Sequence, residues 1–333
     1  MAKKKKEWNP DSTRQWTDEE LARMEAHIRQ MYQQAQAEIT AEWNAYMERG
    51  QDRLANLYNA YLNAPADQKQ AALQAYQNAV QNYTLRNQHY QAMLRQTTIR
   101  LANANAIATA YLNGELPKIY TANFNAASID AASIGMDFTI RNEYMLRNMF
   151  EASVPLRTLD FEKDILWNER HVNSSLLQGI LQGESIPKMA GRLLNILNNN
   201  QKSAVRVART MVTQAENKGR LDGYYELERE GVVLKRVWIA TPDDRTRDWH
   251  LSMDGQIRDL HEPFVDGQGY LLMCPGDTSL GAPGNTIWNC RCTMRSQIIG
   301  FRRKDGSIEY RRTQHQSGLH QSQITAERAR RNG

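Results

Sequence analysis

The sequence predicts a mainly α N-terminal region of long helices, followed by a smaller α+β C-terminal module and a basic flexible tail. Three features carry that expectation. Residues 1–150 contain only Gly50, Gly114, Gly135, Pro10, Pro65 and Pro117, while the other sixteen glycines and six prolines follow, a distribution that places long helices first and loops later. The hydrophobic period changes from helical to strand-like near Gly231. Positive charge gathers at the end, where Arg295–Gly333 carries nine Lys/Arg against three acids, a surplus larger than the net +5 of the whole chain. The division that follows is an elongated helical region over 1–150, a module of helices plus a small sheet over 151–295, and a basic, weakly ordered tail over 296–333. At 333 residues the chain has room for two domains.

In chain order, the first helix is announced by Thr17 as N-cap, with Glu20 closing a capping box and Trp16 stapled to Leu21. Its stripe runs Leu21, Met24, Ile28, Met31, Ala35, Ile39, and Gly50 is read as its C′ residue. A second helix is expected from Asp52 to Asn63, stopped by Pro65. A third runs from Asp67 through Tyr76, Val80, Tyr83 and Leu94 to Leu112, ahead of Gly114 and Pro117. Further on, Ser185 with Pro187 in the first turn starts a short helix. Residues 203–229 form another, with Val205, Ala208, Val212, Ala215 and Gly219 along one side. The run 232–240, between Gly231 and Pro242, is a strand, and 290–299 is a second. Between them lie a short polar helix ending near Gly255 and a Gly/Pro-rich loop from Glu262 to Asn285.

Composition narrows the function classes. Hydrophobic residues make up 41% and charged residues 24%, with a mean hydropathy of −0.69. No apolar run approaches the roughly 20 residues that span a bilayer, so no membrane segment is expected. The start, with its run of four lysines, has no apolar stretch behind it, so it does not read as a secretory signal and synthesis in the cytoplasm is expected. Cys274, Cys290 and Cys292 fall in one segment, and their odd number argues against a disulfide framework.

Asp244, Arg245, Arg247, Asp248 and His250 crowd onto two helical turns, with Asp254 just beyond. One reading is a zinc site of His250, Cys290 and Cys292, completed by Cys274 or Asp254. Another makes His250 a general base oriented by Asp244 or Asp248, with Arg245 or Arg247 holding an anion. The reading preferred from the residues is a structural clasp of Asp244, Arg245, Arg247, His250 and Asp254 that ties this segment to the cysteine hairpin through charge-assisted hydrogen bonds, with no catalytic residue. Arg302, Arg303, Lys304, Arg311 and Arg312 are candidate contacts to nucleic-acid phosphates; without interleaved aromatics they suggest nonspecific binding.

Three segments also resemble, in order, the phage minor head proteins, the Mu F-like head morphogenesis family. They are Ala208-Arg209-Thr210 with Glu216-Asn217; Asp244-x-x-Arg247-x-x-His250 followed by Asp254-Gly255; and Pro275-Gly276-Asp277 with Asn289-Cys290-Arg291-Cys292. The resemblance spans about 180–295. It implies a low-copy virion protein made in the host cytoplasm and located in the capsid near the portal. Its implied partners are the portal protein, major capsid or scaffolding protein, and packaged DNA. Two departures stand out: some relatives have a cysteine pair where this chain has Thr246 to His250, and Met211 follows Arg209-Thr210 where many relatives have an acid. The competing function class is a metal-dependent hydrolase or transferase effector centred on His250. The forty or so residues after Cys292 are too few for an added catalytic domain.

Overall fold

The computed structural model describes residues 12–83, 88–132, 139–182, 184 and 186–310. Helices dominate up to residue 229: α1 (Ser12–Asn63), α2 (Lys69–Tyr83), α3 (Gln88–Ala132), α4 (Glu143–Ser153), α5 (Phe161–Leu181) and α6 (Ile186–Arg229). The mainly α region of long helices and the smaller sheet-bearing C-terminal part are both present. Among the described residues, no helix is long and apolar enough to cross a membrane.

Several expected helix ends lie inside helices. α1 begins at Ser12 and passes through Gly50 to Asn63. Thr17 is therefore not its cap: the hydroxyl donates to the Thr13 carbonyl at 2.9 Å and accepts from Asn123 at 3.0 Å. Glu20 closes no capping box and pairs with Arg23 and Lys118. α3 continues through Gly114 and Pro117. α6 joins two expected helices into one of 44 residues, and the expected cap Ser185 lies outside the described residues. Side-chain caps do start α4 and α5, where Asn142 accepts from the Met145 amide and Asp160 from that of Lys163.

Contacts divide the chain into two compact units that do not follow chain order. One gathers Met1–Met24, Leu112–Leu156 and Arg206–Gly333; the other, Glu25–Tyr111 and Arg157–Val205. The second is all helix, with Ile39, Trp43, Tyr46, Tyr90, Leu94, Leu176 and Leu193 in its core. Trp43 meets Tyr90 edge-on at 5.5 Å and satisfies its indole N–H on the Thr97 hydroxyl at 2.7 Å, the polar handle that a buried tryptophan requires.

The first unit holds the sheet. β1 (Val232–Ile239) is central, with β2 (Ile257–Asp259) on one side and β5 (Thr293–Arg302) on the other; β6 (Ile308–Tyr310) completes the order β2-β1-β5-β6, all antiparallel. A two-stranded hairpin, β3 (Phe264–Val265) with β4 (Leu271–Leu272), and two single-turn helices, α7 (Asp248–Leu251) and α8 (Gly284–Ile287), occupy the intervening loops. Trp238, Tyr224, Phe264, Met253 and Met294 fill the core beneath. On α6, Gly219 and Gly223 admit the α3 backbone, since a Cβ there would lie 2.4 Å from the Tyr120 carbonyl oxygen and 2.6 Å from that of Phe124. Arg236, fully buried on β1, donates to the carbonyl oxygens of Met273, Asp259 and Glu262, tying the loops to the sheet.

The sheet runs past the expected boundary at 295. Residues 296–302 belong to β5 and 308–310 to β6, because β5 pairs with β1 along its length and Gly300 lets β6 approach on the other side. The rest of the expected tail, 311–333 with Arg311 and Arg312, lies outside the described residues, as do the four lysines near the start.

Candidate functional site

The site is assembled on α6. Thr210, Thr213, Glu216 and Asn217 recur at intervals of three and four, so they share a helix face, and that face is turned to residues 289–293. Thr210 accepts from the Asn289 amide at 2.9 Å and Thr213 donates to the Cys290 carbonyl at 2.7 Å. Asn217 donates to the Cys292 carbonyl at 3.3 Å. The Thr293 hydroxyl is shared between Glu216 at 2.7 Å and Asn217 at 3.2 Å. Asn289 sits at φ 57°, a left-handed conformation that asparagine tolerates better than most residues, and there the chain turns back onto the helix.

Next to that face, through Gln214 and Lys218, α6 holds the Pro275-Gly276-Asp277 loop. Gln214 donates to the Gly276 carbonyl at 3.1 Å, and the Lys218 ammonium lies 2.9 Å from Asp277. Asp277, its side chain fully buried, also accepts from the amides of Met273 and Ser279 and from the Ser279 hydroxyl. Burial works against its charge, but Lys218 and these donors hold the carboxyl below its ordinary value. Cys274 is in this neighbourhood, and burial pushes its thiol up to about 12.

The polar segment 243–255 closes over the same stretch, residues 288–292. Arg291 grips both carboxylate oxygens of Asp243, and Asp243 also accepts from the Arg245 amide at 3.0 Å and the Thr246 hydroxyl at 3.1 Å. Arg247 donates to the Trp288 carbonyl. Asp254 accepts from the Ala240 amide at 2.9 Å, and Gly255, at φ 74°, returns its own amide to the Trp238 carbonyl. Arg14 of α1 reaches the Thr241 hydroxyl at 3.2 Å and the Arg291 carbonyl at 3.0 Å.

At the centre, α7 presents His250 to the two cysteines. Its Nδ1 lies 3.5 Å from Cys290 Sγ and 3.6 Å from Cys292 Sγ, and all three residues are at most 2% exposed. The Cys292 amide points at Cys290 Sγ, 3.4 Å away. Cys290 is drawn well below the ordinary thiol range by its bond to Cys292 and, against burial, by His250; Cys292 is driven well above it by Cys290 and burial.

Of the expected clasp, Arg247 bonds Trp288, His250 meets Cys290 and Cys292, and Asp254 bonds Ala240 just after β1. Arg245 contributes its amide, and its exposed guanidinium stands 3.5 Å from Asp243. Asp244 is exposed, and the carboxylate that grips Arg291 belongs to its neighbour Asp243. The structure brings His250, Cys290 and Cys292 together as one group; Cys274 lies apart from it, by Lys218 and Asp277. Arg302, Arg303 and Lys304 are exposed at the β5–β6 hairpin, where Arg303 pairs with Glu309 at 3.2 Å. Sequence reasoning missed Arg14, Thr213, Lys218, Arg236 and Asp243. For Thr213 and Lys218 a signal existed: Thr213 lies one turn before the Glu216-Asn217 motif and Lys218 directly follows it.

Residues 170–295 match the family model described as Phage Mu protein F like protein. The chain is 25% identical over 167 residues to the minor head protein GP7 of Bacillus phage SPP1, covering 50% of this chain and 53% of that protein. It is 29% identical over 133 residues to the NAD(+)–arginine ADP-ribosyltransferase EFV of Enterococcus faecalis, covering 40% of this chain and 26% of that protein. The chain thus spans about half of one curated relative and about a quarter of the other. No solved structure matches.

Proposed function

We propose that the chain, through the segment 170–295 that matches the family model described as Phage Mu protein F like protein, acts in the virion as a minor head protein joined to the portal during head assembly. The observation that carries this reading is where the family-type polar groups go. Thr210, Glu216, Asn217, Asp277 and Asp254 all direct their side chains at backbone or side chains of the same module. Such a network makes a rigid body suited to docking. His250 supports the same view: a general base must reach its substrate, whereas this ring is 2% exposed, has both sulfurs at Nδ1, and has no hydrogen-bond partner at Nε2 among the described residues.

Capsid or scaffolding protein is a further partner on this reading, and the exposed Arg302, Arg303 and Lys304 are positioned for nonspecific contact with packaged DNA. The test is recovery of the portal protein with the tagged chain from proheads. We expect the two to co-purify at a fixed ratio; particles that contain portal but no trace of this chain would reject the role.

A further inference from the structure

We propose that His250 Nδ1, Cys290 Sγ and Cys292 Sγ bind a single zinc ion. The three donor atoms lie within 4.8 Å of one another. With Zn–S near 2.3 Å and Zn–N near 2.0–2.1 Å, the S···N edge of a tetrahedron is roughly 3.6 Å. The observed edges are 3.5 and 3.6 Å.

Hydrogen bonding alone accounts poorly for this arrangement. A ring nitrogen carries either a proton or a lone pair in one in-plane direction, which serves one sulfur well and not two at matched distances. An ion between the three atoms serves all of them. The surroundings suit sulfur as an acceptor: the Cys292 amide points at Cys290 Sγ at 3.4 Å, and the Thr241 amide bonds Cys292. Two thiolates and one neutral imidazole neutralise a divalent ion, so the buried site carries no net charge, and this soft donor set favours zinc over magnesium or calcium. Binding releases the two thiol protons to solvent.

Neither residue considered from sequence as the fourth ligand is part of the group. Cys274 is beside Lys218 and Asp277, and Asp254 bonds the Ala240 amide. The ion would fasten α7 to the hairpin across the Gly/Pro-rich stretch between them, as a staple that does not depend on what the module docks against.

The experiment uses the full chain, purified from zinc-supplemented medium and desalted. Elemental analysis should find one zinc per chain, and a strong chelator should lower the melting temperature, with zinc chloride restoring it. Cobalt chloride added to the chelated chain should give a thiolate-to-cobalt charge-transfer band and the intense visible bands of tetrahedral cobalt. Cys274→Ser should keep the full zinc content and His250→Ala should lose most of it. A folded wild-type chain with no zinc and no cobalt charge-transfer band overturns the assignment, as does a folded C290S/C292S variant that retains its zinc. Should that double variant fail to fold, the wild-type zinc content and cobalt spectrum still decide.

Discussion

Asp243 receives both ends of the Arg291 guanidinium, the Arg245 amide and the Thr246 hydroxyl, and the bond to Arg291, against partial burial, holds its carboxyl well below the ordinary carboxylate range. A carboxyl lowered in the folded state stabilises fully above its unfolded value, about 3.9, and loses that contribution as pH falls towards the folded value. Asp243→Asn should therefore cost about 2 kcal/mol at neutral pH, and the gap from wild type should narrow progressively below about pH 4. Thermal melts of both proteins across that range check it; a gap independent of pH would remove the ion pair from the explanation. Sequence reading chose Asp244, because adjacent aspartates differ only in which of them faces a residue 48 positions on. Thr213 illustrates the same limit. Its hydroxyl holds the Cys290 carbonyl at 2.7 Å, so Thr213→Val should leave a buried acceptor unsatisfied and lower stability by about 1–3 kcal/mol, measured by chemical denaturation. Thr213→Ser, which keeps the hydroxyl, should recover most of that loss.

Helix existence was legible, and so were the ends at Asn63 before Pro65 and at Arg229 before Gly231, but other expected stops were not real. Gly50, Gly114 and Pro117 read as stops, yet α1 and α3 run through them. Propensity is a weak prior, and in α3 the apolar positions are buried on both sides of Pro117, at Ala108, Leu112 and Leu116 and again at Ile119, Tyr120 and Phe124. Packing of that face outweighs the local cost. The glycines of α3 and α6 accordingly make opposite predictions. Gly114 has open space where a Cβ would go, so Gly114→Ala should raise stability by about 0.5–1 kcal/mol. Gly219 faces the Tyr120 carbonyl oxygen at 2.4 Å, so Gly219→Ala should lower it by about 1–3 kcal/mol, with a matching fall in melting temperature. Equal effects at the two positions would contradict the close approach of these helices. The β5–β6 hairpin makes a charge prediction. R302E/K304E should weaken retention on nonspecific DNA at low salt, and the difference should vanish at high salt; unchanged retention would discard that surface as the DNA contact. The existence of a strand near 290–299 was legible from its period, but it begins at Thr293 and not at Cys290, and its extension to Arg302 and the pairing with β6 depend on partners that no local pattern names.

At the scale of the whole molecule, each compact unit draws on separated stretches of chain. An apolar stripe tells which side of a helix is covered, not which distant segment covers it, so a reading in chain order has no access to that grouping. The grouping of His250 with Cys290 and Cys292 was more legible, since each was singled out by type and spacing; Thr213 and Arg14 stayed hidden because their role is to hold atoms far away in sequence. These features describe a cross-braced module whose residues 170–295 match the family model described as Phage Mu protein F like protein, and for which we propose a role in head assembly. The measurement that tests this most directly is the yield of DNA-filled heads from an assembly reaction supplied with no chain, with wild type, or with Asp243→Asn. We predict a low yield without the chain, full restoration by wild type, and partial restoration by the variant that loosens the clasp. An equal yield of filled heads with and without the chain would contradict the account.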